Sequence, residues 1–356
     1  MNDSHGLATK VRLGDRVIGF GHPVFVIAEA GVNHNGDIEL ARRLIDVAAA
    51  AGADAVKFQT FRADKVISAS APQAEYQKAN TGKAESQLEM VRRLELGPGQ
   101  TRHLRDYCDE AGIEFLSSPF DEESADLLEE LGVSAFKVGS GELTNHRFLA
   151  HLARKGNPML LSTGMATEDE VAVAFDLVGA EGCQELCLLH CVSAYPAPPA
   201  ESNLRAMDSL RRRFGVPVGW SDHTPGIHVS LAAVALGSSV IEKHFTLDRS
   251  MPGPDHAASL EPRELTELVR QVREIESALG DGVKRCMPSE ENTAEVARRS
   301  VHVTKDLVAG HLLRADDLVA LRPGTGIPVD HLNDLIGRPT RTVLRKGQML
   351  GPNDVG

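Results

Sequence analysis

The chain has 356 residues, with 38 lysines and arginines against 50 aspartates and glutamates, a formal net charge of −12. That length exceeds one typical small domain and suits one large barrel plus an appendix; the acidic balance argues against a nucleic acid or an anionic membrane as partner. No run of about 18 apolar residues occurs, and the N-terminal stretch has no apolar h-region, so a cytoplasmic protein without a membrane span is expected.

Residues 10–20, KVRLGDRVIGF, read as a hairpin around Gly14-Asp15, placed to plug the bottom of a barrel. Between Val24 and Thr246 a strand-then-helix unit recurs eight times. The strands are VFVIAEAG, AVKFQTF, EFLSSPF, AFKVGSG, PMLLSTGM, ELCLLHC, VPVGWSDH and VIEKHFT, each apolar along its body and polar at its C-terminal end. Gly52, Gly112, Gly132, Gly156, Gly215 and Gly237 stand between a helical pattern and the next strand, where a left-handed C-cap is needed. An open doubly wound sheet gives similar local patterns. Eight units with loaded tips favour an α/β fold closed into a (β/α)8 TIM barrel, which gathers all the tips on one face.

The second unit carries an insert, residues 62–96, that mixes polar loop with helix; such inserts on the C-terminal face shape or cover a site. The last barrel helix ends at Gly280, so the expected division is a barrel domain with its hairpin over 1–281, a linker over 282–299 and a small β-rich domain over 300–356. Within that domain AGHLLRADDL (309–318) and KGQMLGPNDV (346–355) echo one another, which predicts a pseudo-symmetric unit. The five cysteines, Cys108, Cys183, Cys187, Cys191 and Cys286, include no CxxC. Cys187 and Cys191 would lie roughly 13 Å apart along one strand, too far to share a metal, so packed reduced thiols are the reading.

The polar tips hold three kinds of chemistry. His223 and His244 end strands seven and eight, which lie about 4.8 Å apart in a barrel, so two inward imidazoles there suit one divalent cation with open positions. Lys57 and Lys137 sit inside strands two and four among apolar neighbours, and burying a lysine is costly unless it is paired or functional. They fit either Schiff-base chemistry on a carbonyl or a fixed positive clamp for phosphate and carboxylate. Glu29 and Glu142 are the candidate carboxylates, as acid/base groups or as ion-pair partners of the lysines. Ser118, Ser140, Ser162 and Ser221, beside Gly139, Gly141 and Gly164, are hydroxyls and close-approach amides of the kind that hold a phosphate. Gln59 shares the face of Lys57, Tyr195 opens the rigid YPAPP stretch, and Asp255 lies just past strand eight. Arg322, in LRPGTG, belongs to the small domain.

The ordered motifs AEAGVNHNGD, VKFQTF, SSPF, FKVGSGE, LSTGM, YPAP, GWSDHT, EKHFT and PGPD resemble the sialic acid synthase family from about residue 20 onward. DLVAGHLLRADDLVALRPG (306–324) resembles that family's C-terminal antifreeze-like (SAF) domain. The resemblance implies condensation of phosphoenolpyruvate (PEP) with an N-acetylated hexosamine, N-acetylmannosamine or a close analogue. Water is consumed, and a nine-carbon 2-keto sugar acid and phosphate are released. It implies a divalent cation, Mn2+ with Mg2+ or Co2+ as alternatives, on His223 and His244. It places Ser118, Lys137, Ser140, Ser162 and Ser221 on PEP with Lys57 nearby, and Glu29, Gln59, Tyr195 and Asp255 on the sugar and water side. Arg322 matches an arginine projected into a neighbouring barrel, which implies a domain-swapped homodimer. Ser193 stands where some sialic acid synthases have asparagine, at a position expected to touch the sugar. Legionaminic and pseudaminic acid synthases, which use a 2,4-diacetamido-6-deoxyhexose, share nearly all these motifs and are the alternative reading; a Schiff-base pyruvate aldolase is a further rival.

Overall fold

A computed structural model describes residues 7–73 and 86–356, so the middle of the insert, 74–85, lies outside the described residues. Two compact units are present, one running to Gly280 and one over Asp281–Gly356.

The first unit opens with an antiparallel hairpin, β1 (Lys10–Leu13) and β2 (Arg16–Gly19). Eight strands come next: β3 (Phe25–Gly31), β4 (Ala55–Thr60), β5 (Glu114–Pro119), β6 (Phe136–Val138), β7 (Met159–Ser162), β8 (Leu186–Cys191), β9 (Val218–Asp222) and β10 (Val240–His244). They form one parallel sheet in the order β5-β4-β3-β10-β9-β8-β7-β6, and its end strands β5 and β6 lie side by side. This is the nearly closed TIM-type barrel that the eight-fold pattern predicts. Helices alternate with the strands, and two end as a right-handed helix must when the chain turns sharply. Gly112 and Gly215 take φ of 71° and 70° at the C-caps of helices Pro98–Ala111 and Ala206–Phe214; a side chain there would be strained.

Side chains at every second strand position point into the barrel, and they change character with height. Near the strand starts Ile27, Leu116, Leu160, Leu189 and Val240 form one apolar cluster with Val11, Leu13 and Ile18 of the hairpin. The hairpin therefore stops the bottom of the barrel. Further along seven of the eight strands the inward residues become polar: Glu29, Lys57, Ser118, Lys137, Ser162, Ser221 and Glu242. No helix among the described residues is long and apolar enough to cross a membrane.

The second unit contains β11 (Ser300–Val303) and β12 (Leu318–Leu321), antiparallel, plus isolated bridges that tie Leu307 to Leu344 and Thr340 to Val355. Its core is small, built on Val301, Val303, Leu307, Leu313, Leu344 and Leu350. The internal echo is a repeated turn. Asp317 Oδ2 accepts from Arg314 N at 3.0 Å and Asp354 Oδ2 accepts from Gly351 N at 2.7 Å, three residues back in each case. Gly310 and Gly347, at matching places, have φ of 83° and 80°.

Asp317 is the buried member of this pair, with Lys305 Nζ at 2.6 Å and His311 Nε2 at 2.8 Å. Burial pushes its carboxyl up, but the bonds from Lys305, His311 and Arg314 outweigh that and hold it well below the usual carboxylate range. A depressed carboxylate adds stability above its unfolded pKa and loses it as pH falls through the folded value. Asp317→Asn should therefore cost the second unit about 2 kcal/mol at neutral pH, read as faster amide exchange over residues 300–356. The loss of protection on acidification below about pH 4 should also be shallower in the variant than in the parent.

Candidate active site

The polar layer of the barrel is organised by two buried lysines. Lys57 Nζ, on β4, lies 2.5 Å from Glu29 Oε2 on β3 and 3.9 Å from Glu242 Oε2 on β10, and it donates to Ser118 Oγ at 3.1 Å. Lys137 Nζ, on β6, lies 3.3 Å from Glu242 Oε1. Ser221 Oγ donates to the same oxygen at 2.9 Å, and Gln59 Nε2 donates to Glu29 Oε1 at 3.3 Å. Glu242 thus bridges the two ammonium groups across the barrel. Burial pushes Glu242 up, yet Lys137 and Lys57 outweigh it and hold it ionised, below the ordinary range. The reverse holds for Glu29: burial, with Glu242 adding to it, raises this carboxyl despite the pull of Lys57. Burial lowers Lys57, but Glu242 and Glu29 overcome that and keep it charged.

Above this layer stand the histidines. The rings of His223 and His244 have centroids 5.5 Å apart, and Tyr195 packs 4.2 Å from His223 and 5.8 Å from His244. His223 Nδ1 donates to the Val192 carbonyl at 2.7 Å, which leaves Nε2 as the nitrogen with a free lone pair. Nδ1 of His244 is buried with no hydrogen-bond partner. Burial lowers His223 to about 4 and His244 well below its ordinary value. Two neutral imidazoles, one with an orphaned buried nitrogen, suit a divalent cation. No group of three or more metal-ligating side chains occurs among the described residues, so the two histidines would leave most of a coordination sphere to substrate and water.

The serines line the other side of the mouth. Gly164 N donates to Ser140 Oγ at 2.9 Å, and that hydroxyl lies 3.1 Å from Cys191 Sγ. Ser162 Oγ is buried without a partner. A Cβ on Gly164 would fall 2.3 Å from Ser193 Oγ and 2.8 Å from Ser140 Oγ, so only glycine lets Ser193 and Ser140 close around this turn.

A cleft opens beside His244. One wall is polar, with Gln59, Tyr195 and Asp255; the other is apolar, with Phe61, Val66, Ile67, Met90, Leu94 and Phe120. Four of those six come from the insert. Burial raises Asp255 to about 6, although Lys57 pulls the other way. The next residue fixes its loop: His256 Nδ1 lies 2.6 Å from Thr246 Oγ1, and its Nε2 donates to Asn35 Oδ1 at 3.2 Å.

One sequence candidate of the barrel is set apart from this array. The half-buried Glu142 accepts from Asn145 Nδ2 at 2.8 Å and forms no ion pair with either lysine; a 3-10 turn over Ser140–Glu142 carries it off the strand axis. Arg322 belongs to the second unit, where it is exposed and precedes a cis proline. Sequence reasoning missed Glu242, the carboxylate that serves both lysines. The same two-residue step that pairs Gln59 with Lys57 links Glu242 to His244 in VIEKHFT, and that signal was available.

A family model described as the NeuB family matches residues 44–284, and a SAF domain model matches residues 298–356. The chain belongs to the NeuB family. It is 49% identical to an N,N'-diacetyllegionaminic acid synthase of Campylobacter jejuni, over 88% of this chain and 94% of that protein. A second N,N'-diacetyllegionaminic acid synthase, from Legionella pneumophila, is 46% identical over 92% of this chain and 93% of its own length. Among solved structures, the N-acetylneuraminic acid (sialic acid) synthetase of Leptospira borgpetersenii, in complex with citrate, superposes with a TM-score of 0.71 at 35% identity. The match covers 81% of this chain and 96% of that one. The NeuB-family chain is accordingly a C–C bond-forming synthase of carbohydrate biosynthesis.

Because Glu242 is the ion-pair partner of Lys137 among the described residues, Glu242→Gln leaves a buried ammonium uncompensated. It should destabilise the barrel by about 3 kcal/mol, measured by urea denaturation monitored through the buried Trp220. Ser221→Ala, which removes one hydrogen bond to Glu242, should cost about 1 kcal/mol.

Proposed function

We propose that this NeuB-family enzyme condenses PEP with a 2,4-diacetamido-6-deoxyhexose and water to make a legionaminic-type nine-carbon 2-keto sugar acid, releasing phosphate. The observation that carries this reading is the near-half identity to two diacetyllegionaminic acid synthases along almost the whole chain. It favours that sugar over N-acetylmannosamine, the acceptor first expected from the motifs. The cleft supports the same choice. An acceptor with two acetamido methyls and a deoxy terminus has apolar surface to lay against Val66, Ile67, Met90 and Leu94, while Gln59, Tyr195 and Asp255 line the cleft on its polar side.

The residues divide the work by charge. In this reading Lys57, Lys137 and the hydroxyls of Ser118, Ser140, Ser162 and Ser221 hold the phosphate and carboxylate of PEP. A divalent cation on His223 and His244, when bound, supplies Lewis-acid polarisation of the sugar's aldehyde oxygen. The ammonium groups offset the repulsion of two anionic groups held close together, and they are preorganised for this by Glu242. PEP presents its C3 methylene to the aldehyde carbon, forming the new C–C bond and leaving C2 electron-deficient. Water adds at C2 while Glu29, whose buried carboxyl binds protons more tightly than usual, takes one of its protons, which passes on to the former aldehyde oxygen and makes it a hydroxyl. The tetrahedral carbon then collapses: the C–O bond to phosphate breaks, the C2 hydroxyl proton goes with the departing phosphate, and the 2-keto group is left. Asp255 and Tyr195 orient the sugar, and Glu142 is kept as a subsidiary acid/base candidate from the GSGE motif. This reading needs no Schiff base on either lysine. The protein acts in the cytoplasm in this reading, where PEP is made.

PEP-dependent phosphate release tests the reaction and the acceptor together. The 2,4-diacetamido-6-deoxymannose should be used with kcat/KM at least tenfold above N-acetylmannosamine or the corresponding altrose, on the order of what one hydrophobic pocket discriminates. Preference for N-acetylmannosamine would restore the sialic acid reading, and borohydride trapping of pyruvate on Lys57 or Lys137 would replace the chemistry altogether.

We further propose that the SAF unit of a second copy presents Arg322 to the barrel mouth in a domain-swapped homodimer, as the motif resemblance implies. Arg322→Ala should then lower kcat/KM about a hundredfold with the barrel's thermal melt unchanged. Mixing it with His244→Ala should recover part of the activity through hybrid dimers. No recovery on mixing would remove the shared-site idea.

A further inference from the structure

Behind the two histidines lies a second buried ion pair that the reaction does not use. Along β9 and β10 the inward side chains are Ser221, Glu242 and His244, with His223 just beyond β9, so Asp222 and Lys243 point outward beneath the surrounding helices. Both are only 1% exposed. They are partners in the strand register, and Lys243 Nζ lies 3.1 Å from Asp222 Oδ2. Lys243 also donates to the Thr224 carbonyl. Asp222 Oδ1 accepts from Thr224 N at 2.8 Å, and its Oδ2 accepts from Ser230 Oγ at 2.5 Å. The residues on either side of His223 are thereby tied to the residue before His244, and through Ser230 to helix His228–Ala235.

A buried ion pair adds little net stability, and apolar side chains of similar volume would fill this space as well. What they would not supply is direction. The His223 ring is turned by the Val192 carbonyl, but Nδ1 of His244 has no hydrogen-bond partner. Where the His244 ring points therefore depends on where the tip of β10 sits against the tip of β9; the backbone ladder sets that register up to Lys243 and Asp222, and the Lys243–Asp222–Thr224 bonds tie the last step before the two histidines.

We infer that Lys243 and Asp222 are positioning residues that hold the His223 and His244 imidazoles at the separation needed to share one divalent cation. This rests on the reading of those two histidines as the cation's ligands. The test is Mn2+ titration calorimetry on the full-length, metal-stripped protein, beside thermal melting. Lys243→Met alone strands a buried carboxylate and should melt early. The double variant Lys243→Met/Asp222→Leu removes both charges and should recover most of the melting temperature. It should nevertheless bind Mn2+ about 10- to 100-fold more weakly, the usual effect of losing an outer-sphere support. Ser230→Ala, a milder change that loosens Asp222 without stranding a charge, should weaken Mn2+ about threefold. A folded double variant, or Ser230→Ala if the double fails to fold, that binds Mn2+ like the parent overturns the clamp while leaving the histidines in place. Unaltered Mn2+ binding in His244→Ala would overturn the ligand reading and the clamp with it.

Discussion

The barrel mouth depends on one constraint: two ammonium groups are buried in a low-dielectric interior and must stay charged to be of use. Desolvation alone would drive Lys57 toward its neutral form. Glu242 prevents this, because its two oxygens face the two lysines from a third strand. A carboxylate placed between two cations is held ionised by both, and it helps hold Lys57 charged in return. The geometry leaves the compensation incomplete. Lys57 approaches Glu29 far more closely than Glu242, and Glu29, crowded by burial and by the neighbouring carboxylate, has its proton affinity raised. Of the two carboxylates beside Lys57, Glu29 is thereby the one suited to take up a proton, while Glu242 stays ionised.

The fold makes such an arrangement sustainable by separating apolar and charged layers along the barrel axis. Hairpin residues Val11, Leu13 and Ile18 close the bottom together with the first inward residues of the strands. The burial that folds the unit is supplied by this plug and by the larger apolar cluster between the strands and the surrounding helices. The upper layer is free to carry groups that add little to stability, since a buried ion pair roughly breaks even against an apolar substitute. Parallel strands matter here for a second reason. With all eight running the same way, the strand tips gather at one end, and Glu242 on β10 reaches Lys57 on β4 and Lys137 on β6 without any loop having to carry a charged residue inward.

Much of this was legible in the sequence, and the part that was not has a common cause. Strand bodies, the plugging hairpin, the turn glycines and the loaded tips are local patterns, and each is found in the structure where its pattern predicts. The repeated turn around Asp317 and Asp354 was visible as an echo between two ten-residue stretches for the same reason. Partnerships between strands are not local. Glu142 reads well as a lysine's partner because it stands close after Lys137 in the chain, but the strand has already ended and its carboxylate turns to Asn145. Glu242 reads as one more charged residue beside Lys243 until barrel closure brings β10 against β3 and opposite β6. The bracket formed by Asn35, His256 and Thr246 around the Asp255 loop joins the first strand–helix loop to the last for the same reason. The apolar wall of the cleft was hidden differently: Val66, Ile67, Met90 and Leu94 sit in an insert with no clear period, so nothing marked them as facing one side.

Burial then does opposite things to neighbouring groups, and this sorts the mouth into two functions. His223 and His244 lie in the same interior as the lysines, yet they are left neutral, because no carboxylate comes close enough to repay desolvation. Lysine begins from a pKa several units higher, and Lys57 has two carboxylates at hand, so the same desolvation leaves it charged. The outcome is a pair of neutral nitrogen donors beside a pair of fixed cations, within one barrel and a few ångströms of each other. A cation would be repelled by the lysines and find neutral nitrogen lone pairs at the histidines; an anion would find positive charge at the lysines. A reaction that joins an anionic enol phosphate to a polarised carbonyl needs its two partners sorted in that way, and the sorting comes from which side chains burial leaves charged.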